Sequence, residues 1–288
     1  MTVTRARIGL VGGSGVYDLS AIEGLTEERL STPFGEPSDA YFCGTLGGVP
    51  VAFLSRHGRG HRVSPTEINY RANICGFKML GCDALLSASA CGSLREELAP
   101  RMAVIPDQFI DRTRHRADTF FGGGVVAHAG LADPVCGVLS GALADASHEA
   151  GLDARRGGTY LCMEGPQFST RAESHLYRSW GADVIGMTNL TEARLAREAE
   201  LCYASIALVT DYDCWREHTE VVSVEAIIAI LSENAAAARR TLAGAVARID
   251  PARQCECRDA MRFAIITHPS AIPAEAKERL RPIAGRYL

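Results

Sequence analysis

The chain has 288 residues, 47% hydrophobic and 22% charged, enough for a self-sufficient core in one large α/β domain or two small ones. Its 34 acidic residues outnumber the 30 Lys and Arg, giving a formal charge of −4, which excludes a sequence-independent grip on nucleic acid. The longest apolar runs are strand length, so no membrane span is expected; Met1 to Arg7 has no signal-peptide apolar core, and the expected location is the cytoplasm. In chain order, Ile8 to Val11 reads as a buried strand closed by Gly12-Gly13-Ser14-Gly15. Those glycines either make a plain tight turn or let backbone amides and the Ser14 hydroxyl approach an anion. The third glycine of the dinucleotide fingerprint is missing. Tyr41 to Leu46 and Val49 to Leu54, joined by Gly47-Gly48, read as a hairpin. Directly after it, Arg56-His57-Gly58-Arg59-Gly60-His61-Arg62 is either a solvated basic loop or a concentration of positive potential suited to phosphate, for which Arg presents a matching fork.

Ser64-Pro65-Thr66-Glu67 has the parts of a helix start, and the helix should run to about Leu80. Asp83 to Ala88 is the next strand, ending in small residues, Ser87 to Ser93, that leave room for a ligand or for tight packing. Cys91 lies among them without a sequence-adjacent His to activate it. Further strands are expected near Met102 to Ile105, Tyr160 to Met163, Asp183 to Met187 and Cys202 to Thr210. Helices are expected near Cys136 to Ala150, Arg171 to Trp180, Thr191 to Glu200 and, longest, Ser223 to Arg248. Thr170-Arg-Ala-Glu173 is a capping box. Between strand and cap, Phe168 serves either the core or the face of a planar base. After Thr210 come Asp211 and Asp213; two residues apart in extended chain, they point the same way, either as an acidic turn or as paired carboxylates facing one pocket. The regular alternation of strand and helix, without repeat or linker, predicts one α/β domain over residues 1–250. Residues 251–288, with a short strand at Phe263 to Thr267 and Pro-broken helical sequence, read as an extension packed on that domain or on a neighbouring subunit.

Of the ten cysteines, eight are scattered singly and read as small buried residues. Cys255 and Cys257 form a CxC pair, too few ligands for a tetrahedral metal site, with no partner pair at finger-like spacing; the pair reads either as a redox or disulfide unit or as an exposed tail pair, and no metal is expected.

In order, the segments IGLVGGSG, TPFGEPSDA, RHGRGH, NYRANI, ACGSLREE, DQFIDRT, EGPQFSTRAESHLYRSWGADVIGMT and CYASIALVTDYDCWREH resemble the 5'-methylthioadenosine phosphorylase branch of the trimeric purine nucleoside phosphorylase family. The resemblance implies a single-domain α/β fold with a mixed, partly barrel-like central sheet, assembled as a homotrimer. It implies phosphorolysis of 5'-methylthioadenosine to adenine and 5-methylthioribose-1-phosphate, with phosphate as co-substrate and no cofactor. Carried over by position, Ser14, Arg56, His57, Ser89 and Thr188, with the backbone at Ala90, would bind phosphate. Met187 would lie against the ribose and Phe168 on the purine, with Asp211 and Asp213 facing N7 and the 6-amino group. The related 6-oxopurine branch typically has Asn in the Asp211 region and Glu at Ser169, so both departures favour adenine over the alternative, a 6-oxopurine nucleoside or methylthioinosine phosphorylase. Val224 and Ile227 would line an apolar pocket for the 5' group, and His128 would reach the site from a neighbouring subunit. A CxC also occurs in some microbial relatives, where it can join disulfide chemistry.

Overall fold

The computed structural model describes residues 6–13, 19–216 and 224–288. The strands are β1 (Ile8–Gly12), β2 (Glu23–Glu28), β3 (Tyr41–Leu46), β4 (Val49–Ser55), β5 (Ala84–Ser93), β6 (Ala103–Ile105), β7 (Gln108–Arg112), β8 (Ala154–Arg156), β9 (Thr159–Met163), β10 (Val184–Gly186) and β11 (Cys202–Asp211). The helices are α1 (Tyr70–Met79), α2 (Gly137–Glu149), α3 (Arg171–Ser179), α4 (Asn189–Glu198), α5 (Val224–Arg248) and α6 (Ala274–Ala284). Strands such as β1, buried at every position, and β11, buried at all but the last, belong inside a sheet covered on both faces. They flank β5: β1 runs parallel to it from Ile8↔Ala84 to Gly12↔Ala88, and β11 from Cys202↔Ala84 onward. The main path of the sheet is β2-β3-β4-β1-β5-β10-β9-β7, while β11, β6 and β8 branch from β5. β10 joins the far end of β5 antiparallel, at Gly92 and Ser93, so the sheet is mixed as expected.

Side chains alternate across the pleat and fill two cores. Tyr203 points to the face covered by α1, α4 and α6, whereas Cys202, Ala204 and Ile206 point to the face covered by α2 and α5. The result is a three-layer α/β/α domain. Met261, Ile272, Ala276, Leu280 and Ile283 of the C-terminal segment pack in the same core as α1 and α4. Among the described residues, no helix is long and apolar enough to cross a membrane.

Several elements differ from the sequence-based expectation. β2 (EGLTEE) is exposed at five of its six positions, so it has no apolar alternation to betray it. Ser64 and Glu67 do pair, the Ser64 hydroxyl donating to Glu67 Oε2 at 2.6 Å, but they close only one turn. The helix itself starts at Tyr70, where the Asn69 side chain accepts from the Ala72 amide. The strand expected at Phe263 to Thr267 is reduced to a single bridge, Ala127↔Ile265, and leaves Phe263 and Ile266 exposed. The capping box of α3 forms in both halves.

Candidate active site

β1, β4, β5 and β11 are mutually parallel, so their C-terminal ends meet at one edge of the sheet. Open α/β sheets bind ligands in the crevice outside such ends. There Gly13 donates its amide to the Ala88 carbonyl at 3.1 Å. A Cβ at Gly13 would lie 3.1 Å from Arg56 Nη1, so any larger residue would crowd the guanidinium. Ser14, which follows, lies outside the described residues.

Arg56 leaves the end of β4 and is 1% exposed. Its Nε donates to Glu192 Oε1 at 2.5 Å, and its Nη2 to Glu192 Oε2 at 3.2 Å and Ser87 Oγ at 2.6 Å. Nη1 donates to the Ala88 carbonyl at 3.1 Å. Among the described residues these four bonds leave one of the five guanidinium hydrogens, on Nη1 beside Gly13, unused. Burial pulls the Arg56 pKa down, but the Glu192 carboxylate outweighs it and the net direction is up. Arg56 is therefore a fixed, permanently charged wall whose Nη1 lies against Gly13.

Ser89, on β5, is 6% exposed and its hydroxyl has no hydrogen-bond partner among the described residues. Such a buried group is a candidate ligand contact, because leaving it unpaired costs about 1–3 kcal/mol. Thr188, the N-cap of α4, is 4% exposed and uses its hydroxyl on Asn189 rather than on a helix amide. It stands one turn before Glu192, so α4 presents its N-terminus to the same corner. Ala90 is half-buried on β5. His57 is buried, with Nδ1 2.9 Å from the Val63 carbonyl and its ring stacked on His61. Burial first, then the Arg56 charge, push its pKa down to about 4. Neutral His57 thus donates from Nδ1 and keeps the Nε2 lone pair, which can accept a hydrogen bond from a protonated phosphate oxygen.

Two carboxylates mark the other end of the crevice. Asp211 closes β11 opposite Gly92, where a Cβ would lie 3.0 Å from Asp211 Oδ1 and 3.4 Å from Asp213 Cβ. The two acids do come together, but not by extended-chain periodicity. Asp213 has φ 50°, and its amide donates to Asp211 Oδ1 at 2.7 Å, so the chain turns back on itself. Burial raises the pKa of both acids, and for Asp213 the neighbouring Asp211 adds to it. Asp213 Oδ2 is buried and has no hydrogen-bond partner among the described residues. Trp215 anchors the turn, its indole N–H donating to the Ser93 carbonyl at 2.7 Å.

Phe168 is 50% exposed on the β9–α3 loop, so the core-packing alternative for this ring is wrong. Ser169 follows it, held by Cys214 Sγ donating to its carbonyl at 3.3 Å. Met187 packs its sulphur on Gly165, where a Cβ would lie 2.5 Å away. Val224 is exposed at the start of α5, while Ile227 leans on the core beneath. His128 is exposed on the loop after β7, its amide bonded to the Ala264 carbonyl, with Val126, Phe263 and Ile266 exposed around it. Cys91 is buried and its thiol pushed well above its ordinary pKa by burial, so it stays a neutral thiol rather than a nucleophile.

Three residues, Glu192, Tyr203 and Arg116, escaped the sequence reading, and Ser87 was read there only as one of a run of small residues. Glu192, Ser87 and Tyr203 form the cradle of Arg56, with the Ser87 and Tyr203 hydroxyls donating to Glu192 Oε2 at 2.8 and 3.0 Å. Glu192 shares a helical face with the buried Leu195, Ala196 and Ala199, and an acid on an apolar stripe was the available signal. Arg116 joins the Glu164 carbonyl, the Tyr70 hydroxyl and the Thr191 hydroxyl at 2.7–3.2 Å, and so fixes the segments carrying Met187 and Phe168.

The sequence pattern of the phosphorylase superfamily matches residues 7–247. The chain is 59% identical over 282 residues to the S-methyl-5'-thioadenosine phosphorylase of Geobacter sulfurreducens, covering 98% of this chain and 99% of that one. A crystal structure of methylthioadenosine phosphorylase from an Antarctic soil metagenomic library superposes with a TM-score of 0.92 at 47% identity, covering 97% of this chain and 99% of that one. The Schistosoma mansoni methylthioadenosine phosphorylase in complex with adenine superposes with a TM-score of 0.81 at 37% identity, covering 84% of this chain and 91% of that one. By sequence along most of its length and by fold, the chain belongs to the phosphorylase superfamily.

Proposed function

We propose that the chain catalyses phosphorolysis of 5'-methylthioadenosine, releasing adenine and 5-methylthioribose-1-phosphate, with inorganic phosphate as co-substrate and no cofactor in the chemistry. The observation that carries this is a spacing on β5. The unpartnered Ser89 hydroxyl stands three residues before Gly92, on which Asp211 and Asp213 sit. Ser89 and the two acids therefore share the C-terminal end of β5, an anion contact and a proton donor about three residues apart along one strand. The relatives named for this reaction support the same reading.

Phosphate is held by Ser14, Ser89, Thr188, the Ala90 backbone, the remaining Nη1 hydrogen of Arg56, and His57, whose Nε2 accepts the phosphate O–H. The purine lies against Phe168 and the ribose against Met187. The C1'–N9 bond loosens first and an oxocarbenium-like ribosyl group develops. A phosphate oxygen closes on C1' from the opposite face, while a proton shared with Asp211 moves to N7 so that adenine departs neutral. Asp213 accepts from the 6-amino group, and Ser169 leaves the base edge free of a second acid. Val224 and Ile227 receive the methylthio group. His128 completes the site from a neighbouring copy in a homotrimer acting in the cytoplasm.

Base release is the test. Chromatography should show adenine appearing from methylthioadenosine only when phosphate is present, and more slowly from methylthioinosine. Hypoxanthine released faster than adenine would overturn the roles of Asp211, Asp213 and Ser169; adenine release without phosphate would mean hydrolysis.

A further inference from the structure

Four cysteines that sequence places far apart meet at one point. Cys136 precedes α2, and its amide donates to the Tyr203 carbonyl at 2.8 Å. Cys202 opens β11, and its amide donates to the Asp83 carbonyl at 3.1 Å. Cys255 and Cys257 belong to the short 3-10 segment that follows α5. All four Sγ atoms lie within 4.8 Å of one another, with Cys136 and Cys255 at 3.4 Å. Cys136, Cys202 and Cys257 are buried, and Cys255 is half-buried.

Apolar packing accounts for cysteines such as Cys43 and Cys75, each set among carbon side chains. It gives no reason for four sulphurs from three segments to converge. A tetrahedral thiolate site does. With metal–sulphur bonds of about 2.3 Å the sulphurs stand about 3.8 Å apart, a spacing that the cluster brackets. The four are free thiols, and a disulfide would need its sulphurs at about 2.05 Å. Charge points the same way. A divalent ion on four thiolates leaves a net double negative charge, which requires a cation nearby when buried. Arg253 supplies one: it is 6% exposed, and its Nε has no hydrogen-bond partner among the described residues. Its Nη2 is tied to Asp83 Oδ1 at 2.7 Å, which holds it in place.

We propose that Cys136, Cys202, Cys255 and Cys257 form a structural site for a thiophilic divalent cation, zinc, that clamps the segment after α5 onto the N-terminal end of β11. Binding exchanges each thiol proton for a metal–sulphur bond and involves no redox step. The four ligands fill the coordination shell, so no position stays open for a substrate. β11 runs ten residues from Cys202 to Asp211. That is about 30 Å of strand, so the ion takes no part at the carboxylate end.

The full-length chain, purified under reducing conditions without chelator, should carry about one zinc per chain by elemental analysis. Exchange for cobalt should give the sulphur-to-cobalt charge-transfer and visible bands of a tetrahedral tetrathiolate. Cys255→Ser, at the half-buried ligand, should lose the metal and lower the melting temperature while keeping kcat within about twofold of the parent. The cobalt spectrum of the unmutated chain does not depend on that variant folding. Four alkylatable thiols with neither zinc nor cobalt uptake would overturn the proposal. So would two disulfides among these cysteines in metal-free protein, found by mass spectrometry after purification under reducing conditions.

Discussion

The hydroxyl of Thr210 has one hydrogen and two acceptors within reach, the Cys91 carbonyl at 3.2 Å and Asp211 Oδ2 at 2.7 Å. If the hydrogen goes to Cys91, the shorter contact must be made by a proton on Asp211. Burial favours that arrangement by raising the carboxyl pKa. The neutral acid is the form able to protonate a departing purine, so kcat should fall as pH rises through the raised pKa of Asp211. Asp211→Asn should remove that limb of the profile and lower kcat by about 10²-fold, with little change in KM for phosphate. Steady-state kinetics across pH would check this, and full turnover by the variant would end the acid assignment. His57 makes an opposite kind of statement about pH. Its pKa is held down at about 4, first by burial and then by Arg56. An unfolded chain takes up a proton there below about pH 6.5, while the folded chain resists until about pH 4. The stability of the neutral, folded form is therefore complete above the unfolded value and is lost as pH falls across this window, by about 3 kcal/mol. Urea unfolding at pH 7 and pH 4.5 should show the parent losing more stability than His57→Gln. Equal losses would mean that His57 is not buried neutral.

At the level of elements, α4 is the piece that would turn a strand end into an anion site in the proposed reaction. It brings Thr188 to the crevice and Glu192 beneath Arg56, where the pair is buried at 1% and 3% side-chain exposure. A buried ion pair gains little over apolar packing, yet removing one partner leaves an uncompensated charge and costs about 3–5 kcal/mol. Glu192→Gln should accordingly lower the free energy of urea unfolding by an amount in that range and raise KM for phosphate, because Arg56 loses the clamp that aims Nη1. A variant as stable as the parent would show that Ser87 and Ala88 alone hold the guanidinium. Glu192 also marks where sequence reasoning stops. β1, β3, β4, β9 and β11 were legible because apolar residues run along them, and the capping box announced α3. β2 was not, since its solvent-facing EGLTEE has no pattern. Asp211 and Asp213 were singled out by a two-residue periodicity that the left-handed backbone at Asp213 does not follow. Their proximity comes from an amide-to-carboxylate turn, a feature set by local hydrogen bonding. Pairings such as Arg56 with Glu192, or the CxC pair with Cys136 and Cys202, join residues remote in the chain, and only tertiary structure brings them into contact.

For the molecule as a whole, the surface around His128 is the informative one. The His128 and Ile266 amides donate to the Ala264 and Val126 carbonyls, tying the loop after β7 to the C-terminal segment. Around this seam Phe263 is 86% exposed, Ile266 64% and Val126 49%. Side chains of this size in one patch are costly in water and mark an interaction surface. In a homotrimer a neighbouring copy would cover them, and His128, projecting beside them, would enter that copy's crevice. Phe263→Glu places a charge in this seam without touching any residue of the chain's own crevice. Size-exclusion chromatography with light scattering should find the parent as a trimer and the variant as a monomer. The variant's circular dichroism should be unchanged, because Phe263 contributes to neither core. Its KM for methylthioadenosine should rise, since the 5' group loses His128, while phosphate affinity, built from one chain, should hold. A monomeric variant with unchanged KM would separate assembly from the active site and remove His128 from the reaction; a parent that is itself monomeric would do the same for the trimer.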